Sequence, residues 1–354
     1  MSRAERKKDH INYALTSSFE KRNSFDDVHF VHNSLPETSV FQVDPSVSIG
    51  ELSLSSPIII NAMTGGGGKE TERINENLAA AARDTGAAMA VGSQMAAIKD
   101  PEEKRTYKAV RKANKKGIIF ANLGSELTLN QAQQAVDMIE ADALQIHLNV
   151  IQELVMPEGD REFKGALEKI ADIASFLHVP VIVKEVGFGL SYETVEQLKQ
   201  TEVKIVDTGG NGGTNFAAIE NKRRSEPYEF FNSWGLATVP SIVEAINAAS
   251  QSMSVFGSGG IRNGYDIAKA ISLGADAAAM AGKILAAADK DGKEGAQHFI
   301  TRCQEELKMI MTAVGAEHIE TLKKAPLVLT GESKDWLEAR GFSASIYSRR
   351  KIRD

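Results

Sequence analysis

The chain has 354 residues, 42% of them hydrophobic and 25% charged, and a formal net charge of -6. That is enough apolar mass for a large core and gives no global positive field to gather nucleic acid or coat an acidic membrane. The single cysteine, Cys303, cannot form an internal disulfide, the opening MSRAERKKDH lacks a signal-peptide apolar stretch, and no apolar run approaches the roughly 20 residues that cross a bilayer. A protein of the reducing cytoplasm is expected, with neither nucleic-acid nor membrane partners.

Eight short apolar runs rich in β-branched residues follow one another, at 57–63, 87–92, 117–124, 143–149, 180–187, 203–210, 254–260 and 277–282, each ending in glycine or a small polar residue. Segments of helical periodicity lie between them, among them ETERINENLAAAARDTG, TLNQAQQAVDMIEADA and NGYDIAKAISLGAD. Apolar strands joined by crossover helices predict a parallel sheet. Eight units without a break in composition predict an α/β fold closed into a TIM (β/α)8 barrel rather than an open doubly wound sheet. One domain is expected over 1–354, with 1–56 an N-terminal extension or lid, 57–290 the barrel and 291–354 C-terminal helices and tail. The long connection 211–239 is a second candidate lid.

A TIM barrel carries its site at the C-terminal ends of its strands. There the sequence reads NAMTGGGG, VGSQM, ANLGS, HLNVIQE, KEVGFG, DTGGNGGTN, GSGGIRNG and MAGK. Ser258, Gly259 and Gly260 follow the seventh strand and Ala281 and Gly282 the eighth, where backbone amides can approach a phosphate closely. Lys184 sits on an otherwise apolar strand, so it is expected to face an anionic ligand, an ion pair to Glu185 being the alternative. His147, Asn149, Gln152 and Glu153 fall within seven residues. They could converge on an anionic substrate, Glu153 holding Mg2+ together with substrate phosphates, although a histidine read without context is more often a satisfied core residue than a catalyst. Arg6, Lys7, Lys8 and His10 make a basic start that is either a solvated tail or a segment folding over an anion.

RKKDH, NAMTGG, VGSQ, ANLGS, QIHLNVIQE, VIVKEVGFG, GGNGGTNF with ENKRR, FFNSWG, SGGIRNG, AMAGK and KAPLVLTGE together resemble the FMN-dependent type 2 isopentenyl-diphosphate isomerases, over nearly the whole chain. The resemblance implies interconversion of isopentenyl and dimethylallyl diphosphate with FMN, Mg2+ on the diphosphate, and NADPH keeping the flavin reduced without net redox change. It implies a homo-oligomer, tetramer or larger. By the same resemblance FMN would be held by Ala62, Met63, Thr64, Ser93, Asn122, Lys184, Thr214, Ser258, Gly260, Ala281 and Gly282. The substrate would meet Arg6, Lys7, His147, Asn149 and Gln152, with Gln152 and His147 as the catalytic side chains and Glu153 on Mg2+. One position departs from the pattern: many members carry arginine where this chain has Met95, which cannot contact a diphosphate in that way.

The rival reading is an FMN-dependent oxidoreductase of the 2-hydroxy-acid oxidase type. It requires a histidine base after the sixth strand, where this chain reads VDTGGNGGTN. Cys303 lies in a helical segment far from any strand end, and packing is its expected role.

Overall fold

A computed structural model of the chain describes residues 23–352. Arg6, Lys7, Lys8 and His10 therefore lie outside the described residues. The eight apolar runs form eight strands: β1 Ile58–Ile60, β2 Ala88–Ala90, β3 Ile119–Gly124, β4 Ala143–Leu148, β5 Val181–Glu185, β6 Ile205–Asp207, β7 Ser254–Ser258 and β8 Ala277–Met280. Each pairs in parallel with the next, and β8 pairs with β1 to close the expected barrel. Several strands are shorter than their apolar runs because the terminal glycines turn the chain away from the ladder: Gly187, Gly209 and Gly259 have φ of 113°, 51° and 112°, a region that side-chain-bearing residues rarely enter.

Strand alternation splits the core in two. Ile59, Ala88, Ala90, Phe120, Ala143, Ile182, Ile205, Phe256, Ala277 and Ala279 form a separate cluster inside the barrel, where the Phe120 and Phe256 rings stack with centroids 6.5 Å apart. The hairpin of Val47–Ile49 and Leu52–Leu54 adds Ile49, Leu52 and Leu54 to this cluster and so plugs the N-terminal end of the barrel. The alternate strand residues, such as Ile58, Ile60, Leu144, Val183 and Val255, pack outward against the helices in the main core.

The chain ends are fastened to the outside of the barrel. Strand Val28–Phe30 pairs antiparallel with Leu327–Leu329. Glu244, fully buried on the helix Thr238–Ala248, accepts hydrogen bonds from the Tyr192 amide and Trp336 Nε1 at 2.9 Å and from Arg340 at 3.2 Å. One carboxylate thus holds the C-terminal helix Gly331–Ala339 against the barrel. Cys303 is buried on the long helix Gly282–Val314, and burial pushes its thiol up to about 12. That matches a packing role.

Two outcomes follow from these contacts. Glu244→Ala leaves Arg340 and the Trp336 indole without their buried acceptor and should lower the unfolding free energy by roughly 3 kcal/mol, read from urea melts. Cys303 should stay inert to thiol reagents in the native protein and react only in step with global unfolding.

Candidate active site

Inward-pointing strand residues change from apolar to polar one layer above the Phe120–Phe256 level. Asn61, Asn122, Gln145, Lys184, Asp207 and Ser258 project into the barrel there, all buried. Asp207 is their common acceptor. Asn61 Nδ2 donates to its Oδ2 at 2.8 Å and Gln145 Nε2 at 3.4 Å, Ser258 Oγ donates to Oδ1, and Lys184 Nζ lies 3.6 Å from Oδ2. Gln145 Nε2 also reaches Asn61 Oδ1 at 3.1 Å. The layer continues outward through Asn122 Nδ2, which donates to Gln145 Oε1 at 2.9 Å, to His147 Nδ1, 3.0 Å from Asn122 Oδ1.

This layer gives Lys184 a partner that neither sequence reading named. The strand pleat turns Glu185 to the outside of the barrel, so the anion beside the Lys184 ammonium is Asp207. Glu185 offers Lys184 only its backbone oxygen, at 2.8 Å. Lys184 meanwhile lines a cleft of about 1040 Å3, open to solvent at the strand ends.

The same cleft is lined by Ala62, Met63, Thr214, Ser258, Gly259, Gly260, Ala281 and Gly282, and also by Asn61, Gly187, Gly209, Gly213 and Lys283. Its β6 and β7 loops pack backbone against backbone: a Cβ on Gly260 would sit 2.2 Å from the Gly212 oxygen, and one on Gly259 2.1 Å from the Gly210 oxygen. Only glycine fits. The helix Gly282–Val314 begins at the same wall, and its first-turn amides have no acceptor within the helix. Asn23 Nδ2 donates to the Gly260 oxygen at 2.8 Å, so the first described residue is tied to the β7 loop.

Thr64, Ser93 and Asn122 do not line this cleft. Thr64 is buried with its hydroxyl on Asn75, the Ser93 oxygen accepts from Tyr107 Oη at 2.5 Å, and Asn122 belongs to the polar layer. Met95 is buried in the main core.

The HLNVIQE residues gather beside the cleft. Asn149 precedes the short helix Val150–Val155 and donates to Glu153 Oε1 at 2.8 Å, while Glu153 Oε2 accepts from the Asp160 amide at 2.8 Å. Gln152 Nε2 donates at 3.3 Å to Glu220, a fully buried carboxylate on the helix Phe216–Asn221 that is also paired with Arg223. Part of the connection expected as a lid is therefore ordered helix that supports Gln152. Among the described residues no group of three or more His, Cys, Asp or Glu side chains is arranged to hold a metal, and no helix is long and apolar enough to cross a membrane.

Asn61, Gln145, Asp207 and Glu220 were not singled out from sequence. For the first three a signal existed: a polar residue two positions beyond an inward apolar one, as in Ile59 and Asn61, Ala143 and Gln145, and Ile205 and Asp207. Glu220 opens the ENKRR motif, but its pairing with Gln152, 68 residues away, is not written in the sequence.

The closed parallel barrel, with glycine loops after β6 and β7 and a helix start after β8, is a TIM barrel. Residues 122–329, more than half the chain, match the family of FMN-dependent dehydrogenases. Solved structures with the same fold include a lactate oxidase of Pediococcus acidilactici, described as putative, with a TM-score of 0.66 at 14% identity over 91% of this chain and 87% of that one. A mandelate oxidase variant with (S)-mandelic acid has a TM-score of 0.65 at 16% identity, over 93% and 98%. In sequence the chain is 55% identical over 350 residues to the isopentenyl-diphosphate delta-isomerase of Bacillus licheniformis, covering 99% of this chain and 100% of that protein, and 53% identical to that of a Geobacillus species over 98% and 99%. The chain belongs to the isopentenyl-diphosphate delta-isomerase family.

Glu185 carries the largest carboxyl perturbation at this end of the barrel. Burial raises it from 4.5 to about 8 against the opposing amide bonds from Phe188 and Gly189, at 2.5 and 3.1 Å. A carboxyl raised by folding favours the native state fully below its unfolded value and loses that contribution as pH rises through its folded value. Denaturant melts should therefore show stability falling between pH 4.5 and about 8, and Glu185→Gln should flatten that slope; an unchanged slope would assign it to other groups.

Proposed function

We propose that this chain interconverts isopentenyl diphosphate and dimethylallyl diphosphate with reduced FMN as cofactor, Mg2+ on the diphosphate, and NADPH as a reductant consumed only to keep the flavin reduced. The observation that carries this reading is the pairing, at one barrel mouth, of a glycine-walled cleft with a separate polar group of His147, Asn149, Gln152 and Glu153.

The cleft fits a flavin. Gly259 and Gly260 keep side chains from its wall, and the backbone of Ser258 to Gly260 with Ala281 and Gly282 at the helix start suits a phosphate. Ala62, Met63, Thr214 and Lys184, which line the cleft, would contact the flavin, Lys184 supplying positive charge. Bound reduced flavin supplies proton donation and abstraction beyond the roughly 10²- to 10⁴-fold that a positioned side-chain acid or base contributes to shifting an unactivated double bond.

The remaining work falls to the side chains. Gln152 orients the alkene end of the substrate, and Glu220, by taking one of its amide protons, sets which end of the amide is presented. His147 and Asn149 hold the diphosphate. Glu153 is the protein's carboxylate on Mg2+, the other ligands coming from phosphate and water. Arg6 and Lys7, which lie outside the described residues, are further diphosphate contacts on the family resemblance. A cytoplasmic homo-oligomer, tetramer or larger, completes the reading on the family resemblance. Oxidation of a 2-hydroxy acid would need an imidazole base after β6, and that strand is followed by Thr208, Gly209 and Gly210.

An anaerobic assay with FMN, Mg2+ and NADPH, following substrate and flavin spectrum together, should show dimethylallyl diphosphate forming without stoichiometric NADPH use. Bound flavin without conversion would refute the isomerase reading. Gln152→Ala should lower turnover by about 10²-fold or more with FMN still bound; full activity would remove Gln152 from the mechanism. Glu153→Gln should shift the Mg2+ titration to higher concentration.

A further inference from the structure

The polar layer has a direction, and that direction bears on His147. A carboxylate can only accept hydrogen bonds, whereas each amide side chain both donates and accepts. Asp207 therefore forces Asn61 and Gln145 to turn their NH2 groups toward it, at 2.8 and 3.4 Å. Asn61 is fixed a second time, since its Oδ1 accepts from the Ala62 amide at 2.9 Å. With Gln145 so oriented, its Oε1 faces Asn122 and accepts from Asn122 Nδ2 at 2.9 Å. Asn122 then has only its oxygen to offer the next partner, His147 Nδ1, at 3.0 Å. An oxygen acceptor requires a proton on that nitrogen.

We infer that Asp207, acting through Gln145 and Asn122, is a positioning residue that fixes His147 in the tautomer protonated on Nδ1. Nε2 is then the nitrogen that carries a lone pair in the neutral ring, and it can donate to a diphosphate oxygen only once it too is protonated; this last step rests on the isomerase reading above. The same carboxylate pairs with Lys184 at 3.6 Å. One buried anion thus sets the flavin-facing lysine and the substrate-facing histidine together, with no contact to either ligand. Burial makes the relay stiff: Asp207 and Gln145 are fully buried and Asn122 nearly so, leaving no room for water to supply an alternative donor.

The test reads the tautomer directly, by 15N NMR of the full-length protein labelled in histidine, without substrate and at a pH where the imidazole is neutral. His147 is assigned by difference with His147→Gln. The wild type should show a single form protonated on Nδ1. Gln145→Leu, which cuts the relay but keeps the Asp207–Lys184 pair, and Asp207→Asn, which removes the acceptor-only group, should each replace it with a mixture of both tautomers. A wild-type proton on Nε2, or an unchanged single form in Gln145→Leu, overturns the inference. If Asp207→Asn fails to fold because Lys184 loses its counter-charge, Gln145→Leu decides alone. Because the tautomer is measured without turnover, failure of the isomerase assay and failure of the relay are separate results.

Discussion

The Asp207 carboxylate, sealed inside the barrel above a floor of apolar side chains, is the interaction on which the site depends. Burying a charge costs several kcal/mol unless it is paired and its remaining lone pairs are used. Here Lys184 supplies the counter-charge and Asn61, Gln145 and Ser258 the hydrogen bonds. Those partners come from β1, β4, β5 and β7, so satisfying one carboxylate aligns strands from all sides of the barrel. The cleft above inherits its shape from that alignment.

The chain has a net charge of -6, and the cleft wall after β6 and β7 is built from backbone, because Gly259 and Gly260 lie against the carbonyls of Gly210 and Gly212 at distances that exclude any side chain. Amides and a helix start can face a phosphate without carrying a formal charge. Lys184 is held by Asp207, and Arg262 by Asp26 and Asp266 at 2.6 and 2.7 Å. The second of these clamps, with the Asn23 bond to Gly260, ties the first described residues to the β7 loop. The oxidases with the same fold show that the barrel itself does not select the reaction. In this chain HLNVIQE follows β4, and β6 is followed by Thr208, Gly209 and Gly210.

The repeat of eight apolar runs was legible in sequence because a parallel strand buried on both faces must be apolar almost throughout, and each run must end where the chain turns. The glycine loops were legible for a related reason: close backbone approach tolerates one residue type, so the requirement is written locally. Ser258, Gly259, Gly260, Ala281 and Gly282 were placed on that basis, Lys184 from its position on an apolar strand, and Ala62, Met63 and Thr214 by the family resemblance; all line one cleft. What tertiary structure alone decided are the pairings between distant strands. Lys184 had two candidate anions by sequence, and strand pleating gave it Asp207 by turning Glu185 outward. Gln152 meets Glu220, and Gln145 meets Asp207, across separations of 68 and 62 residues, and Met95 turned into the core. A side chain's direction along a strand is a local property with a period of two, and sequence carries it. Which opposing side chain it meets depends on barrel closure, register and loop path, and those are set only when the whole chain packs.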